Sequence, residues 1–279
     1  MKKIAIQGVR GAFHETAARK YFNDKTIDVV PCDTFKDLFT SIDNKTADYA
    51  IMAIENTVAG GIIPNYELLR TSGKQVFGEV YLTIRQNLMV LPGESIESIT
   101  EVYSHPMALL QCKNFFEDKP NIKLIESIDT AFSAREISEK NLKNIGAIAS
   151  ITAAEMYGLE IIAPSIETNK QNYTRFLLIS EKQKPERIDI TMNRSSICLS
   201  IKHQPGSLAR LLAVFSKFDI NLTKIQSLPI IGSPWEYFFY IDLQFDNYTA
   251  YQYSLDEIKR YTTYLKLLGE YKEGEKYEN

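Results

Sequence analysis

The first 180 residues alternate short apolar runs with segments whose apolar positions recur at helical spacing. An apolar run bounded by polar residues favours a buried strand, and a repeat at i, i+3, i+4 and i+7 favours an amphipathic helix. This alternation predicts an α/β fold, in which helices cover largely parallel sheets. The predicted strands are Ile4–Gln7, Asp28–Pro31, Tyr49–Ile54, Val76–Leu91, Glu101–Ser104, Ile122–Ile125, Ile145–Ala149 and Thr174–Ser180, and the predicted helices are Phe13–Phe22, Thr34–Asp43, Ile63–Thr71, Pro106–Glu117, Asp129–Asn141 and Ile151–Tyr157.

These segments form two successive α/β cycles, and the chain returns to the first cycle with the strand at Thr174–Ser180. Two cycles with a returning chain predict two lobes around a cleft within residues 1–180, the second lobe spanning about residues 77–160. Ligands of such sheets bind beyond the carboxyl ends of the strands.

The C-terminal part has a different pattern. Apolar Ile197, Leu199 and Ile201 alternate with small polar residues, which is typical of a half-buried strand. With the helical and extended segments that follow, the order is βαββαβ, the ferredoxin-like arrangement, over residues 196–274. Residues 181–195 are polar, contain Pro185 and are predicted to be a linker.

Composition narrows the class of protein. The 279 residues are 44% hydrophobic and 24% charged, with a net charge of −3. Such a chain has no basic surface excess for nucleic acid, and no apolar run approaches the roughly 20 residues that span a bilayer. The start also lacks the apolar core of a secretory signal, so a cytoplasmic protein without membrane or nucleic-acid partners is expected.

Cysteine and histidine do not point to a metal or a disulfide. The three cysteines and three histidines are scattered along the chain, which favours reduced thiols. His14-Glu15 begins like a zinc-protease helix, but Ala18 stands where the second histidine is required. No metal and no cofactor are expected.

Two polar clusters stand beside apolar runs and carry the candidate chemistry. Glu55-Asn56-Thr57 follows the strand that ends at Ile54, and Asn172-Tyr173-Thr174-Arg175 opens the strand that contains Phe176. Amides, hydroxyls and a guanidinium at strand ends predict a site for a small, anionic molecule. A third feature, Gly8 to Gly11, opens a helix whose N–H groups favour anions.

Taken together, these strings resemble prephenate dehydratase with a C-terminal ACT domain, over nearly the whole chain. The resemblance is carried by Gly8-Val9-Arg10-Gly11-Ala12-Phe13, Ala53-Ile54-Glu55-Asn56-Thr57, Ser104-His105-Pro106, Asp129-Thr130-Ala131, Ala147-Ile148-Ala149-Ser150 and Thr174-Arg175-Phe176, in that order. It implies a decarboxylating dehydration of prephenate to phenylpyruvate without cofactor or metal, and a two-lobed catalytic region similar to a periplasmic binding protein.

The resemblance also implies roles for individual residues. Thr174 is expected to donate a hydrogen bond to the departing ring hydroxyl. The residues expected to bind substrate are Asn56, Thr57, Gly11, Asn172, Arg175 and Phe176. Strand alternation places Thr174 and Phe176 on one side and Arg175 on the other, so Arg175 either contacts a carboxylate or orients the strand through a salt bridge.

Regulation by L-phenylalanine is the expected role of the C-terminal domain, at an interface between two ACT domains. The residues expected there are Pro205, Gly206, Ser207, Leu208 and Asn221. The family's Glu-Ser-Arg-Pro string appears here as Gln226-Ser227-Leu228-Pro229, so a carboxylate and a guanidinium are both missing. A dimer or tetramer is expected, and no fused chorismate mutase.

Three alternatives stay open at this point. Arogenate rather than prephenate is a possible substrate, because a single contact distinguishes an amino from a keto group. A non-catalytic sensor of aromatic acids is the alternative from another class of protein. His14, which stands where the family has a hydroxyl, either donates to substrate or faces solvent.

Overall fold

The computed structural model of the chain describes residues 1–23, 27–181 and 191–278. Within these residues, no helix is both long and apolar enough to cross a membrane. A cytoplasmic location stays a prediction. Most of the predicted linker lies at residues 182–190, outside the described part.

Helices and strands alternate along the first two thirds of the chain, as predicted. The strands are β1 (Lys3–Gln7), β2 (Asp28–Cys32), β3 (Tyr49–Asn56), β4 (Gly60–Gly61), β5 (Gln75–Thr83), β6 (Asn87–Val90), β7 (Glu101–Ser104), β8 (Lys123–Glu126), β9 (Ile145–Ala149), β10 (Glu160–Ala163), β11 (Tyr173–Ser180), β12 (Arg194–Ile201), β13 (Asn221–Pro229), β14 (Tyr237–Gln244), β15 (Thr262–Tyr271) and β16 (Lys276–Tyr277). The helices are α1 (Phe13–Phe22), α2 (Phe35–Asp43), α3 (Ile63–Thr71), α4 (Pro106–Gln111), α5 (Thr130–Lys140), α6 (Ile151–Tyr157), α7 (Ser207–Lys217) and α8 (Tyr248–Ile258).

The chain divides into two compact units. The first comprises Met1–Asn65, Val80–Leu177 and Glu275–Asn279, and the second comprises Tyr66–Glu79 and Leu178–Gly274.

One sheet of the first unit is built around β1 and β3. β1 pairs in parallel with both β2 and β3, and β11 lies next to β3. The central strands are apolar on both faces, for example at Ala50–Ile54, because helices α1 and α2 contact the sheet. Parallel sheets covered by helices require such continuous apolar strands. The polar ends of β1 and β3 therefore come to the same edge.

The other sheet of the first unit has the order β10-β6-β9-β7-β8 and is mixed, since β7 is parallel to β8 and β9 while β6 is antiparallel to β9 and β10. Its side chains alternate between two cores. Met89 and Ala147 pack with α5 and α6, whereas Leu88 and Ile148 pack with α4. Both faces are thus covered by helices, so a ligand can reach this sheet only at the ends of its strands and helices.

The second unit contains β12, α7, β13, β14, α8 and β15 in the predicted βαββαβ order. The strands form a sheet in the order β13-β14-β12-β15, and β12 is antiparallel to both neighbours. Ile197 and Leu199 of β12 pack with Leu211 and Phe215 of α7 and with Tyr251 of α8 in one core.

The structure corrects several predicted boundaries. β12 begins at Arg194, inside the range predicted as linker. Tyr66–Glu79, predicted within the 1–180 domain, belongs to the second unit, where Val76 pairs with Gly269 of β15. α4 ends at Gln111 and gives way to a 3₁₀ turn, whereas one helix was predicted to Glu117. The short strands β4, β10 and β16 were not predicted.

Candidate active site

A cavity of about 380 Å³ lies in the first unit, between the ends of β1, β3 and β11 on one side and the starts of α4 and α5, which pack on the other sheet, on the other side. Its wall combines aromatic and aliphatic side chains with several amides and hydroxyls. The polar lining residues are Gln7, His14, Asn56, Gln86, His105, Gln111, Asp129, Thr130 and Thr174. Among the described residues that line it, none is lysine or arginine, so a bound anion has no such side chain to pair with.

Strand β11 presents alternate residues to the cavity. Thr174 and Phe176 line it, whereas Arg175 between them does not. Arg175 is 4% exposed, and its guanidinium lies 6.0 Å from the centre of the Tyr81 ring. The prediction that Thr174 and Phe176 share a face opposite Arg175 is confirmed. The structure does not bring the Arg175 guanidinium to the cavity wall.

Asn56 holds the hydroxyl of Thr174. Its Oδ1 accepts hydrogen bonds from the backbone N–H groups of Val58 (2.9 Å) and Ala59 (2.8 Å), which fixes the carboxamide. Its Nδ2 donates to Asn172 Oδ1 at 2.7 Å and to Thr174 Oγ1 at 3.0 Å. Because Thr174 Oγ1 accepts from Asn56, the Thr174 proton is free to be donated elsewhere.

Thr57 and Asn172 lie beside the cavity rather than on its wall. The Thr57 hydroxyl donates to Gln171 O at 3.0 Å and accepts from Tyr173 N at 2.9 Å, so it fastens β3 to the segment before β11. Asn172 is buried, and its carboxamide bonds Asn56 at one end and Gln111 at the other. A direct substrate contact was expected of both, but their polar atoms are occupied by protein.

Gly11 has a structural role at its backbone. Its φ of +85° is left-handed, and an added Cβ would lie 3.0 Å from Ala153 Cα. Its N–H donates to Glu15 Oε2 at 2.9 Å, and its carbonyl accepts from Ser150 Oγ at 2.7 Å. The expected anion contact through the Gly11 N–H therefore conflicts with the Glu15 carboxylate that already accepts from it.

Helix α1, rather than Gly11 itself, offers N–H groups at the cavity. The helix follows Ala12, an N-cap residue without a side-chain cap, and Ala12, Phe13 and His14 all line the cavity. The N–H groups of Ala12 and Glu15 donate to Val9 O and Ala12 O, so those of Phe13 and His14 are the ones that can face a ligand. The helix dipole favours anions there. An uncapped helix start on the wall can bind a carboxylate without a cationic side chain.

His14 is buried against the aromatic wall. Its Nε2 accepts from the Ala53 N–H at 3.3 Å, and its ring contacts Phe176 edge-on with centroids 5.0 Å apart. Burial lowers the pKa of His14 to about 3, so the imidazole is neutral. With Nε2 accepting, Nδ1 carries the proton. The solvent-facing alternative for His14 is wrong, because the side chain is enclosed by the cavity wall.

Asp129 is the one acidic side chain among the described cavity residues. Its Oδ1 caps α5 by accepting from Phe132 N at 3.0 Å. Burial raises the pKa of this carboxyl, although the backbone N–H groups of the helix start oppose the shift. His105 begins α4 in the same way, since its Nδ1 accepts from Met107 N at 3.2 Å. The preceding residue, Ser104, is buried and donates to Ile148 O at 2.7 Å.

Several lining residues escaped the sequence argument, among them Gln7, Gln86, Gln111 and Asp129. Gln7 ends β1 and Asp129 precedes α5, positions at which the carboxyl ends of strands and the starts of helices predict ligand contacts. Gln86 and Gln111 gave no such indication, because an isolated glutamine has no local pattern that separates a cavity from a surface. No group of three or more His, Cys, Asp or Glu side chains within the described residues is arranged to hold a metal ion.

The residues expected to bind L-phenylalanine surround the start of α7 in the second unit. Ser207 and Leu208 line a cavity of about 240 Å³ together with His203 and Trp235. Gly206, with φ of +76°, precedes the helix, and Pro205 O accepts from Arg210 Nη1 at 3.3 Å. Asn221 lies on β13 and bonds Gln244 at 3.4 Å, and it does not line this cavity.

Comparison with known proteins identifies relatives of the chain. The family model of prephenate dehydratase matches residues 4–184. Arogenate dehydratase/prephenate dehydratase 2 of Arabidopsis thaliana is 36% identical over 283 residues, covering 96% of this chain and 72% of that protein. The bifunctional chorismate mutase/prephenate dehydratase of Aquifex aeolicus is 36% identical over 272 residues, covering 96% of this chain and 73% of that protein.

Solved structures match over almost the entire chain. A protein described as GqqA, a novel type of quorum-quenching acylase, has a TM-score of 0.87 at 26% identity, with 98% of each chain covered. Prephenate dehydratase from Arthrobacter aurescens, solved in complex with L-Phe, has a TM-score of 0.84 at 25% identity, with 97% of this chain and 90% of that chain covered. From the family match and the identity to these relatives, the chain belongs to the prephenate dehydratase family.

Proposed function

We propose that the chain is a hydro-lyase that converts prephenate to phenylpyruvate, carbon dioxide and water, with Thr174 as the donor to the departing hydroxyl. The observation that supports this role is the hydrogen bond from Asn56 Nδ2 to Thr174 Oγ1 on the cavity wall. It occupies an acceptor position of the hydroxyl and leaves the O–H to point at a ligand. The family match supplies the reaction, and this geometry supplies a residue for its difficult step.

The difficult step is the loss of hydroxide. As the ring C–O bond breaks, the electron pair of the ring carboxylate's C–C bond enters the ring, carbon dioxide leaves and the ring becomes aromatic. The departing oxygen takes the Thr174 proton and leaves as water. A positioned donor of this kind contributes roughly 10²–10⁴-fold to the rate.

Asn56 assists the same step. Negative charge develops on Thr174 Oγ1 as its proton moves to the leaving oxygen. The Asn56 N–H is already aimed at this atom, so its hydrogen bond strengthens in the transition state. Because two backbone N–H groups hold the Asn56 carboxamide, little reorganisation is required. Solvent returns the proton to Thr174 after product leaves.

The uncapped start of α1 is the proposed site for a substrate carboxylate. Its N–H groups and dipole supply positive potential in a wall that has no lysine or arginine among the described lining residues. The neutral His14, with its proton on Nδ1, adds a donor beside Phe13. Phe176 and Phe35 provide an apolar wall, in which the ring carboxylate is less well solvated than in water.

Substrate choice between prephenate and arogenate is the finer question. The Arabidopsis relative carries both names. The two molecules share the ring, its hydroxyl and both carboxylates, so Thr174, Asn56 and α1 would act on either. Prephenate is the proposed main substrate, and arogenate is the second one to test.

The second unit is proposed to be an ACT domain that binds L-phenylalanine near Gly206, Ser207 and Leu208. A related structure from Arthrobacter aurescens is a complex with L-Phe, and the βαββαβ order fits this role. Self-association as a dimer or tetramer and a two-lobed catalytic region also belong to this proposal. Asn221 is kept in the proposed L-phenylalanine site only because its sequence context resembles that of the family, since it does not line the nearby cavity.

Two other functions would require different residues in the cavity. A non-catalytic sensor has no need for a donor at the leaving hydroxyl. A nucleophilic acylase, the activity named for GqqA, needs a hydroxyl or thiol next to a base. Here the Thr174 oxygen accepts from an amide N–H, which lowers its basicity and does not remove its proton. The geometry therefore favours donation over nucleophilic attack.

The test is incubation of the purified chain with prephenate, and separately with arogenate, while phenylpyruvate or phenylalanine is followed by absorbance and chromatography. Turnover of prephenate is expected. Binding of prephenate without turnover of either substrate would instead support the sensor. An N-acyl homoserine lactone serves as the third substrate, and its hydrolysis in the absence of dehydratase activity would contradict the proposal.

A further inference from the structure

A row of four hydrogen-bonded carboxamides begins beside Thr174. Asn56 Nδ2 donates to Asn172 Oδ1 at 2.7 Å, Asn172 Nδ2 donates to Gln111 Oε1 at 3.0 Å, and Gln86 Nε2 lies 3.4 Å from the same Gln111 oxygen. Asn172 is 1% exposed and Gln86 is 3% exposed. This carboxamide relay joins α4, which packs on the sheet containing β6, to the β3–β11 pair that carries Thr174.

The orientation of every amide in the relay follows from one end. Asn56 Oδ1 faces two backbone N–H donors, so its Nδ2 must face Asn172 and Thr174. Asn172 therefore turns its oxygen to Asn56 and its nitrogen to Gln111, and Gln111 turns its oxygen to Asn172. Reversing any member would place two donors or two acceptors face to face, which costs the desolvation of both groups. The hydrogen-bond network thus sets the orientation.

We infer that Asn172 and Gln111 are positioning residues, which hold the Asn56 amide where it fixes the direction of the Thr174 proton. This inference rests on the proposed function. Asn172 does not line the cavity itself, yet it supplies the acceptor at 2.7 Å that holds the Asn56 amide beside Thr174. Without that acceptor, Asn56 Oδ1 stays bonded to its two backbone N–H donors, but Nδ2 is left with Tyr173 O (3.2 Å) and Thr174 Oγ1 as acceptors. The carboxamide can then tilt toward Tyr173 O, and the threonine hydroxyl can turn its proton toward another partner.

The inference predicts that substitutions in the relay affect kcat more than KM. Relay members align a group for the transition state, so their loss lowers kcat with less effect on KM. Misplacement of a catalytic group by about 1 Å can cost roughly 10²-fold. Asn172→Ala is therefore expected to lower kcat by about 10- to 100-fold. Gln111→Met, which keeps the length of the side chain and removes its acceptor, is expected to lower kcat by a smaller factor.

A double-mutant cycle separates positioning from general damage. With Thr174→Val there is no hydroxyl left to position, so adding Asn172→Ala is expected to change kcat by less than about twofold. The matched control is Asn87→Ala. Asn87 is also buried and bridges Ala149 O (3.2 Å) and Ser165 N (3.1 Å), but it is outside the relay and the cavity wall. It is expected to lower stability and leave kcat unchanged.

A readout independent of turnover tests the relay itself. In protein labelled with ¹⁵N at asparagine, the side-chain amide protons of Asn56 and Asn172 are expected to exchange slowly, and Gln111→Met is expected to speed the exchange of those on Asn172. Fast exchange in the unmodified chain would overturn the inference. So would equal losses of kcat from Asn172→Ala with and without Thr174→Val. A chain inactive on both substrates would contradict the proposed function, while the exchange measurement would still decide the relay.

Discussion

Thr174 has a hydroxyl whose accepting and donating roles are directed to different partners. The oxygen accepts from Asn56, and the proton is left for a ligand in the cavity. The neighbouring Arg175 does not face the cavity, and its guanidinium lies near the Tyr81 ring instead. The strand's alternation of two residues per repeat accounts for this difference, and it was predictable from sequence.

His14 gives a testable dependence of stability on pH. Burial lowers its pKa to about 3, whereas an unfolded histidine titrates near 6.5. Between these values the unfolded chain binds a proton that the folded chain does not, so this stabilising contribution is present above about pH 6.5 and is lost as the pH falls toward 3. His14→Gln is expected to make the free energy of unfolding less dependent on pH in this window.

Urea unfolding at about pH 5 and about pH 8 measures this difference. The control is His203→Gln, which also removes one imidazole, but from an exposed position in the second unit. Comparing variants at each pH removes the contribution of other titrating groups, including Asp129. An identical pH dependence for His14→Gln and wild type would show that His14 is not held neutral by burial.

At the scale of elements, the loop before α1 is joined to α6 by contacts that no sequence pattern indicated. Ser150 Oγ donates to Gly11 O at 2.7 Å, and Tyr157 OH donates to Arg10 O at 2.7 Å. Gly11 was predicted as an anion contact because a glycine before a helix is common at such sites. It is required instead by its left-handed φ and its approach to Ala153.

Gly11→Ala is expected to destabilise the first unit more than Gly93→Ala. Both glycines have nearly the same φ, +85° and +86°, so the backbone strain of roughly 1–3 kcal/mol is common to them. A Cβ at Gly11 meets Ala153 Cα at 3.0 Å, whereas a Cβ at Gly93 has nothing within 4 Å. The extra loss for Gly11→Ala is expected to be at least about 1 kcal/mol. Urea unfolding followed by circular dichroism decides this, and equal losses would remove the packing argument.

The element order was largely predictable, and the places where prediction failed share a physical cause. The buried strands β3 and β11 and the amphipathic helix α7 have strong periodic patterns. By contrast, β4 and β16 have two residues each, too few for a periodic pattern, and β16 pairs with Tyr81 and Leu82 far away in sequence. Likewise Gln86, Gln111 and Asn172 belong to one relay only because segments far apart in the chain come together.

At the scale of the whole molecule, the main expectation is regulation by L-phenylalanine. L-Phenylalanine is expected to bind near Ser207 and Leu208 and to inhibit turnover, more weakly if the charged pair replaced by Gln226 and Leu228 is needed. Inhibition requires that phenylalanine bind the less active state more tightly than the active one. Calorimetry beside rate measurements tests this, with D-phenylalanine as the control ligand. Neither heat nor inhibition at millimolar L-phenylalanine would contradict the expected site.

A dimer or tetramer is the second expectation at this scale. The side chains of Phe239 and Tyr237 lie beside the exposed Trp235, so the second unit carries apolar surface for self-association. Light scattering over micromolar concentrations measures the mass directly. A monomer throughout this range would contradict the expectation.

The most direct test of the central claim compares the steady-state rates of Thr174→Val and Thr174→Ser on prephenate, with Thr57→Val as the matched control. Thr57 fastens the same strand junction but does not line the cavity. Thr174→Val is expected to lower kcat by at least roughly 10²-fold with a smaller change in KM, and Thr174→Ser is expected to retain far more activity because it keeps the donor. Wild-type kcat in Thr174→Val, or an equal loss in Thr57→Val, would contradict the account.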